Sequence, residues 1–161
     1  LLFLLRNRPD TKFTFKLSSL LEICNANLSP RLNKDQLIIA LYFHTHVIIG
    51  TTNFYFQKPK ETELKQLNRH LLEAERLIDD YYEDLHLDIK LEFIVCCRIL
   101  ARTSPLEGKI IYHATNSLSA EGFIIDSESG VVQEGTSDIN GAEHRNVLFI
   151  MAATPWARLA K

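Results

Sequence analysis

Two stretches of this chain, Leu37 to Phe56 and Asp88 to Thr103, are apolar at nearly every position, and the stretch between them is apolar along one stripe only. In that middle stretch, Glu61 to Tyr82, the residues Leu64, Leu67, Leu71, Ala74, Ile78 and Tyr81 recur at helical spacing, while Glu63, Lys65, Glu73, Glu75 and Arg76 fall off the stripe. That pattern predicts a one-sided helix. Asp88 to Thr103 is apolar almost all round and is expected to be a helix buried on most faces, ended by Ser104-Pro105 and Gly108.

Leu37 to Phe56 is ambiguous. Its β-branched and aromatic residues favour strand by propensity. Its length and the Asn33 and Gln36 pair, placed as in a capping box, favour a buried helix from about 33 to 50, with strand as the alternative. Leu17, Leu20, Leu21 and Cys24 mark a helix over Phe15 to Asn25, and Ser29-Pro30 reads as a helix start. A shorter helix is expected over about Lys109 to Leu118 and a last apolar helix, buried like the other two apolar ones, over about Gly141 to Ala153, separated by a Gly122 turn and a loop over 126–140. The result is an all-α chain, read as a single helical domain over 1–161, in which buried helices alternate with one-sided ones. Such alternation suggests inner helices fenced by outer ones; in a simple four-helix bundle every helix is one-sided.

Composition narrows the functional classes. A net charge of -2 gives no electrostatic basis for binding nucleic acid or an acidic membrane, and the basic residues do not interleave with aromatics. Cys24, Cys96 and Cys97 are odd in number, two of them adjacent, so they form neither a disulfide framework nor a zinc knuckle. Free cysteines in an apolar run point to a reducing compartment, hence the cytoplasm. The apolar opening Leu1 to Leu5 is too short to span a membrane. The chain begins without methionine inside an apolar segment, and on that ground a fragment of a longer protein is expected.

The polar residues set among apolar ones are the candidates for chemistry. His44 and His46, two apart on a helix, point roughly 200° away from each other and cannot share a metal. On a strand they would share a face, as in the His-x-His of cupin sites, but the glutamate expected after the second histidine is missing from Val47-Ile48-Ile49-Gly50. Asp88 and Glu92 are four apart, so a helix brings both carboxylates to one face, where each needs a cation, a metal or hydrogen-bond donors. Asp88 fits equally well as an anion in the first helical turn, and Glu92 as the partner of Lys90 or of a basic residue on a neighbouring helix. His144 opens the last helix; taken alone, it and His113 are of the kind more often structural or solvent-facing than ligands. His70 and His86 lie among charged neighbours and are expected to touch water.

In chain order, Tyr42-x-x-Thr45-His46, Asp88-x-x-x-Glu92, Ala120-Glu121-Gly122-Phe123 and His144 resemble an uncharacterised bacterial domain family related to the α/α-toroids, over about residues 35–150. That superfamily includes terpene cyclases and protein prenyltransferases. The resemblance implies inner and outer helices around a central cavity. It does not carry over either activity: the turn lacks the cyclase glutamine and tryptophan, no Asp-x-Asp-Asp motif is present, and Ile89-Lys90 follows Asp88 where prenyltransferases have Asp-x-Cys. Six helices would make only an arc, part of a longer chain or half of a dimer.

Two functions follow. In the first, His46, Asp88, Glu92 and His144 line a cavity acting on a small or peptide-like substrate. His46, Glu92 and His144 would then be zinc or iron ligands or acid–base groups, with Asp88 orienting a histidine. In the second, the same residues form a buried network in a non-catalytic scaffold that binds a protein or peptide.

Overall fold

The computed structural model describes residues 32–124 and 139–154. The helix expected over Phe15 to Asn25, the Ser29-Pro30 start and most of the 126–140 loop lie outside the described residues. Within them the chain forms five α-helices and no strand: α1 (Lys34–Thr51), α2 (Glu61–Asp80), α3 (Leu87–Ile99), α4 (Glu107–Asn116) and α5 (Ile139–Ala153). None of these is long and apolar enough to cross a membrane.

Helix wins over strand in α1 because the start is specified locally and one face is buried. Asn33 accepts from the Gln36 amide at 2.9 Å, and the Gln36 side chain accepts from the Asn33 amide at 3.1 Å, closing the capping box. Leu37, Leu41, Thr45, Ile48 and Ile49 then face inward at helical spacing. Helix α2 starts with half of such a box, the Glu63 carboxylate accepting from the Lys60 amide at 3.0 Å, and buries Leu67, His70, Leu71, Ala74, Leu77 and Ile78. A short 3-10 turn over Tyr82–Asp84 leads into α3.

Helix α3 is the interior of the molecule. Of its thirteen residues only Asp88 and Arg98 are partly exposed, and helices α1, α2, α4 and α5 all pack against it. The expectation that α1 and α5 would be enclosed in the same way is corrected here. Ile39 on α1 is 64% exposed and Ile150 on α5 is 63% exposed, with Tyr42 and Val147 beside them also open. The sequence could not separate the two cases, because an apolar outer row looks the same as an apolar inner one.

Arg98 joins three elements. It pairs with Glu107 at the start of α4, and its Nε donates to the Ala152 carbonyl of α5 at 2.9 Å, covering an open acceptor at that helix end. Ser104 accepts from the Leu106 amide and donates to Glu75 of α2 at 2.5 Å, setting the entry to α4. Gly108 therefore lies within the first turn of α4 and does not break the preceding helix. The chain then reverses through Gly122 at φ +83°, and the Asn146 side chain clasps both backbone groups of Ile124, at 2.9 and 3.2 Å.

Two helix ends use left-handed residues without glycine. After α3 the Arg102 amide reaches the Cys97 carbonyl at 2.9 Å around Ala101, whose φ is +51°. This is the Schellman arrangement, in which glycine is the favoured left-handed residue. After α1, Asn53, Phe54 and Tyr55 all adopt positive φ in succession. Ala101 is exposed and loses little packing if replaced. Ala101→Gly is therefore expected to stabilise the protein by about 1 kcal/mol, a rise of a few degrees in Tm by differential scanning calorimetry.

Candidate functional site

The helical spacing of Asp88, Glu92 and Cys96 puts all three on one stripe of α3, facing the seam with its neighbours. Glu92, 5% exposed, accepts a hydrogen bond from the Thr45 hydroxyl of α1, and the His46 Nδ1 lies 3.3 Å from the same oxygen. Cys96 donates weakly to the Thr45 carbonyl at 3.7 Å. One turn earlier on α3, Asp88 pairs with Arg145 of α5, itself buried. The two carboxylates thus share a face, as their spacing predicts, but each turns to a different helix. Lys90 is buried with its ammonium over the Tyr82 ring, 4.1 Å from the centroid.

Of the four residues singled out from the sequence, the structure brings His46 and Glu92 together. It places Asp88 with Arg145 and leaves His144 exposed on α5. Among the described residues, no three His, Cys, Asp or Glu side chains are gathered so as to hold a metal ion.

The His46 imidazole is more than half exposed and stacks edge-on with Tyr42, ring centroids 5.4 Å apart. Its hydrogen bond to Glu92 raises its pKa above the ordinary 6.5, outweighing the opposing effect of partial burial. Burial, with the charges of Glu92 and Asp88 behind it, raises the Tyr42 phenol, so Tyr42 stays protonated at neutral pH. Burial likewise raises the thiols of Cys96 and of Cys97, the latter to about 12, so neither is a ready nucleophile.

A second polar cluster lies on the opposite side of α1. His44 Nδ1 and His70 Nδ1 of α2 are 2.9 Å apart. They sit in an open groove of about 630 Å³ that is also lined by Thr62, Lys65, Gln66, Arg69 and Glu73. Contrary to the expectation that His70 meets water, only 4% of it is exposed. Burial lowers both histidines, and His44, also beside the His70 ring, falls to about 4. The signal for His70 was present in its position within the α2 stripe, three residues after Leu67 and one before Leu71. Arg145 gave no such signal, since a long basic side chain at a helix start reads as solvent-facing.

The two α1 histidines therefore titrate with opposite sign. The raised pKa of His46 contributes stability that is fully present below pH 6.5 and fades as pH rises through its folded value. The lowered pKa of His44 makes stability fall as pH drops from 6.5 toward 4. In urea titrations, His44→Asn is expected to flatten the acid loss between pH 7 and 4. His46→Gln is expected to differ most from wild type below pH 6.5 and to converge with it in alkali.

Comparisons of the chain with protein-family models, with curated proteins and with solved structures return no match.

Proposed function

We propose that this chain is a non-catalytic helical scaffold that binds an amphipathic, acid-bearing segment of a protein partner along the outer row of α1. The observation that carries this reading is the composition of that row. Ile39, Tyr42 and His46 follow one another at helical spacing, all exposed. The row offers apolar and aromatic contact next to an imidazole whose buried carboxylate anchor favours its charged form. An apolar helix carrying a carboxylate complements those three groups. Under this reading the Thr45–Glu92, His46–Glu92 and Asp88–Arg145 contacts fix the register of α1 and α5 on α3.

The test is an NMR titration with a synthetic amphipathic helix bearing leucines and one glutamate row. Saturable shifts confined to Ile39, Tyr42, His46 and their neighbours, and absent in Ile39→Glu, are expected. Shifts scattered over the surface, or none, defeat the proposal.

One observation favours a second reading, acid–base action on a small or peptide-like substrate. The His46 ring is anchored through Nδ1 by a buried carboxylate, leaving Nε2 available to a reactant. An esterase assay with an activated ester would then follow His46 titration and vanish in His46→Gln.

Kinship with the α/α-toroids is proposed on the same footing, with α3 as an inner helix and α2 as an outer one. What supports it is the contrast between a helix buried all round and a one-sided one. A cytoplasmic setting is proposed from the free, buried Cys96 and Cys97.

A further inference from the structure

We propose that the groove between α1 and α2 is a binding site for a divalent late transition-metal ion, ligated by His44, His70 and Glu73. The site lies on the far side of α1 from the row assigned to a protein partner and does not rest on that assignment.

The imidazoles carry the inference. Two nitrogen ligands held about 2.1 Å from one ion are separated by about 3.0 Å at cis octahedral positions and by about 3.4 Å at tetrahedral ones. His44 Nδ1 and His70 Nδ1, on different helices, are already 2.9 Å apart. The ring planes are inclined at 50°, with centroids 5.2 Å apart. At present one ring must donate its Nδ1 proton to the other. Ion binding needs both Nδ1 lone pairs, so that proton moves to Nε2 of its own ring, with no net release. Both rings are neutral at pH 7, because burial lowers their pKa values, so the ion does not have to displace a charge-bearing proton.

Glu73 supplies the third group. It stands three residues after His70 on α2, which places both on one face of that helix, and it lines the same groove. Its charge already acts on His44. As the side chains stand, the carboxylate is turned to Arg76 at 2.6 Å, an exposed pair, and no three ligands converge among the described residues. Exposed pairs of this kind hold their geometry only weakly, so an ion can draw the carboxylate away by side-chain rotation. Water from the open groove fills the remaining positions. Lys65 and Arg69 line the groove as exposed cations and oppose a dication, as does Arg76, and Glu73 is the acidic group that offsets them. The resulting preference is for the borderline ions that imidazole and carboxylate hold best, such as cobalt, nickel and zinc.

The test is titration of the full chain with cobalt(II), followed by visible absorption and by calorimetry at pH 7.5. The wild type is expected to bind one ion, with ligand-field bands. His44→Ala and Glu73→Gln are each expected to weaken binding by more than about tenfold, while His144→Ala leaves it unchanged. Circular dichroism checks the fold of every variant, and Glu73→Gln, at a half-buried position on α2, keeps the test decisive if His44→Ala unfolds. A wild type that binds no cobalt, or binding that survives Glu73→Gln or a folded His44→Ala, overturns the proposal. So does equal loss in His144→Ala.

Discussion

Phe93→Ala is expected to destabilise the protein by about 4 kcal/mol. Phe93 is wholly buried at the middle of α3, which among the described residues is the helix enclosed on every side. Removing its ring leaves a cavity that the surrounding helices cannot close without losing their own contacts with α3. Against a total stability of about 5–15 kcal/mol for a domain of this size, such a loss brings the variant close to unfolding at growth temperature. Phe93→Leu keeps most of the volume and is expected to cost about 1.5 kcal/mol or less. Urea denaturation checks both, as a lower midpoint at constant slope. A Phe93→Ala midpoint close to that of the wild type would mean that α3 is not the packing centre.

Thr45→Val is expected to cost about 2–3 kcal/mol. The change keeps the shape of the side chain and removes only the hydroxyl that donates to the buried Glu92 carboxylate. Hydrogen bonds to ionised groups are worth more than neutral ones because the alternative is an under-solvated charge. In the variant that charge retains His46, at 3.3 Å. The cost should therefore grow as pH rises and His46 loses its proton. Thr45→Ser, which restores the donor, should recover most of the loss at every pH. If Thr45→Val proved neutral across pH 6 to 9, Glu92 would have to be satisfied by other means.

How much of this was legible in the sequence depends on whether a feature is local. The capping box at Asn33 and Gln36, the stripe of α2 and the pairing of Asp88 with Glu92 on one face are short-range relations, and all three are present in the structure. The partners are long-range and were not legible. Glu92 selects Thr45 and His46, 47 and 46 residues away in sequence, and Asp88 selects Arg145, 57 residues away. No periodicity specifies which helix lies against which. The outer rows of α1 and α5 depart from the pattern for a related reason: Ile39 and Ile150 are apolar but face outward, and in a sequence apolarity is the guide to the interior. The His44–His70 contact was hidden by the same ambiguity in reverse, with a polar residue counted as solvent-facing although it occupied a core position of its helix.

The enclosure of α3 also bears on how the molecule opens. A helix at the periphery can detach while the rest holds, and its amides then exchange with deuterium through a partial opening. The amides of Leu91 to Cys97 have no such route, because exposing them requires several surrounding helices to leave together. Their exchange rates should converge on a single slow value that reports the free energy of complete unfolding, with α4 and the outer turns of α1 exchanging sooner.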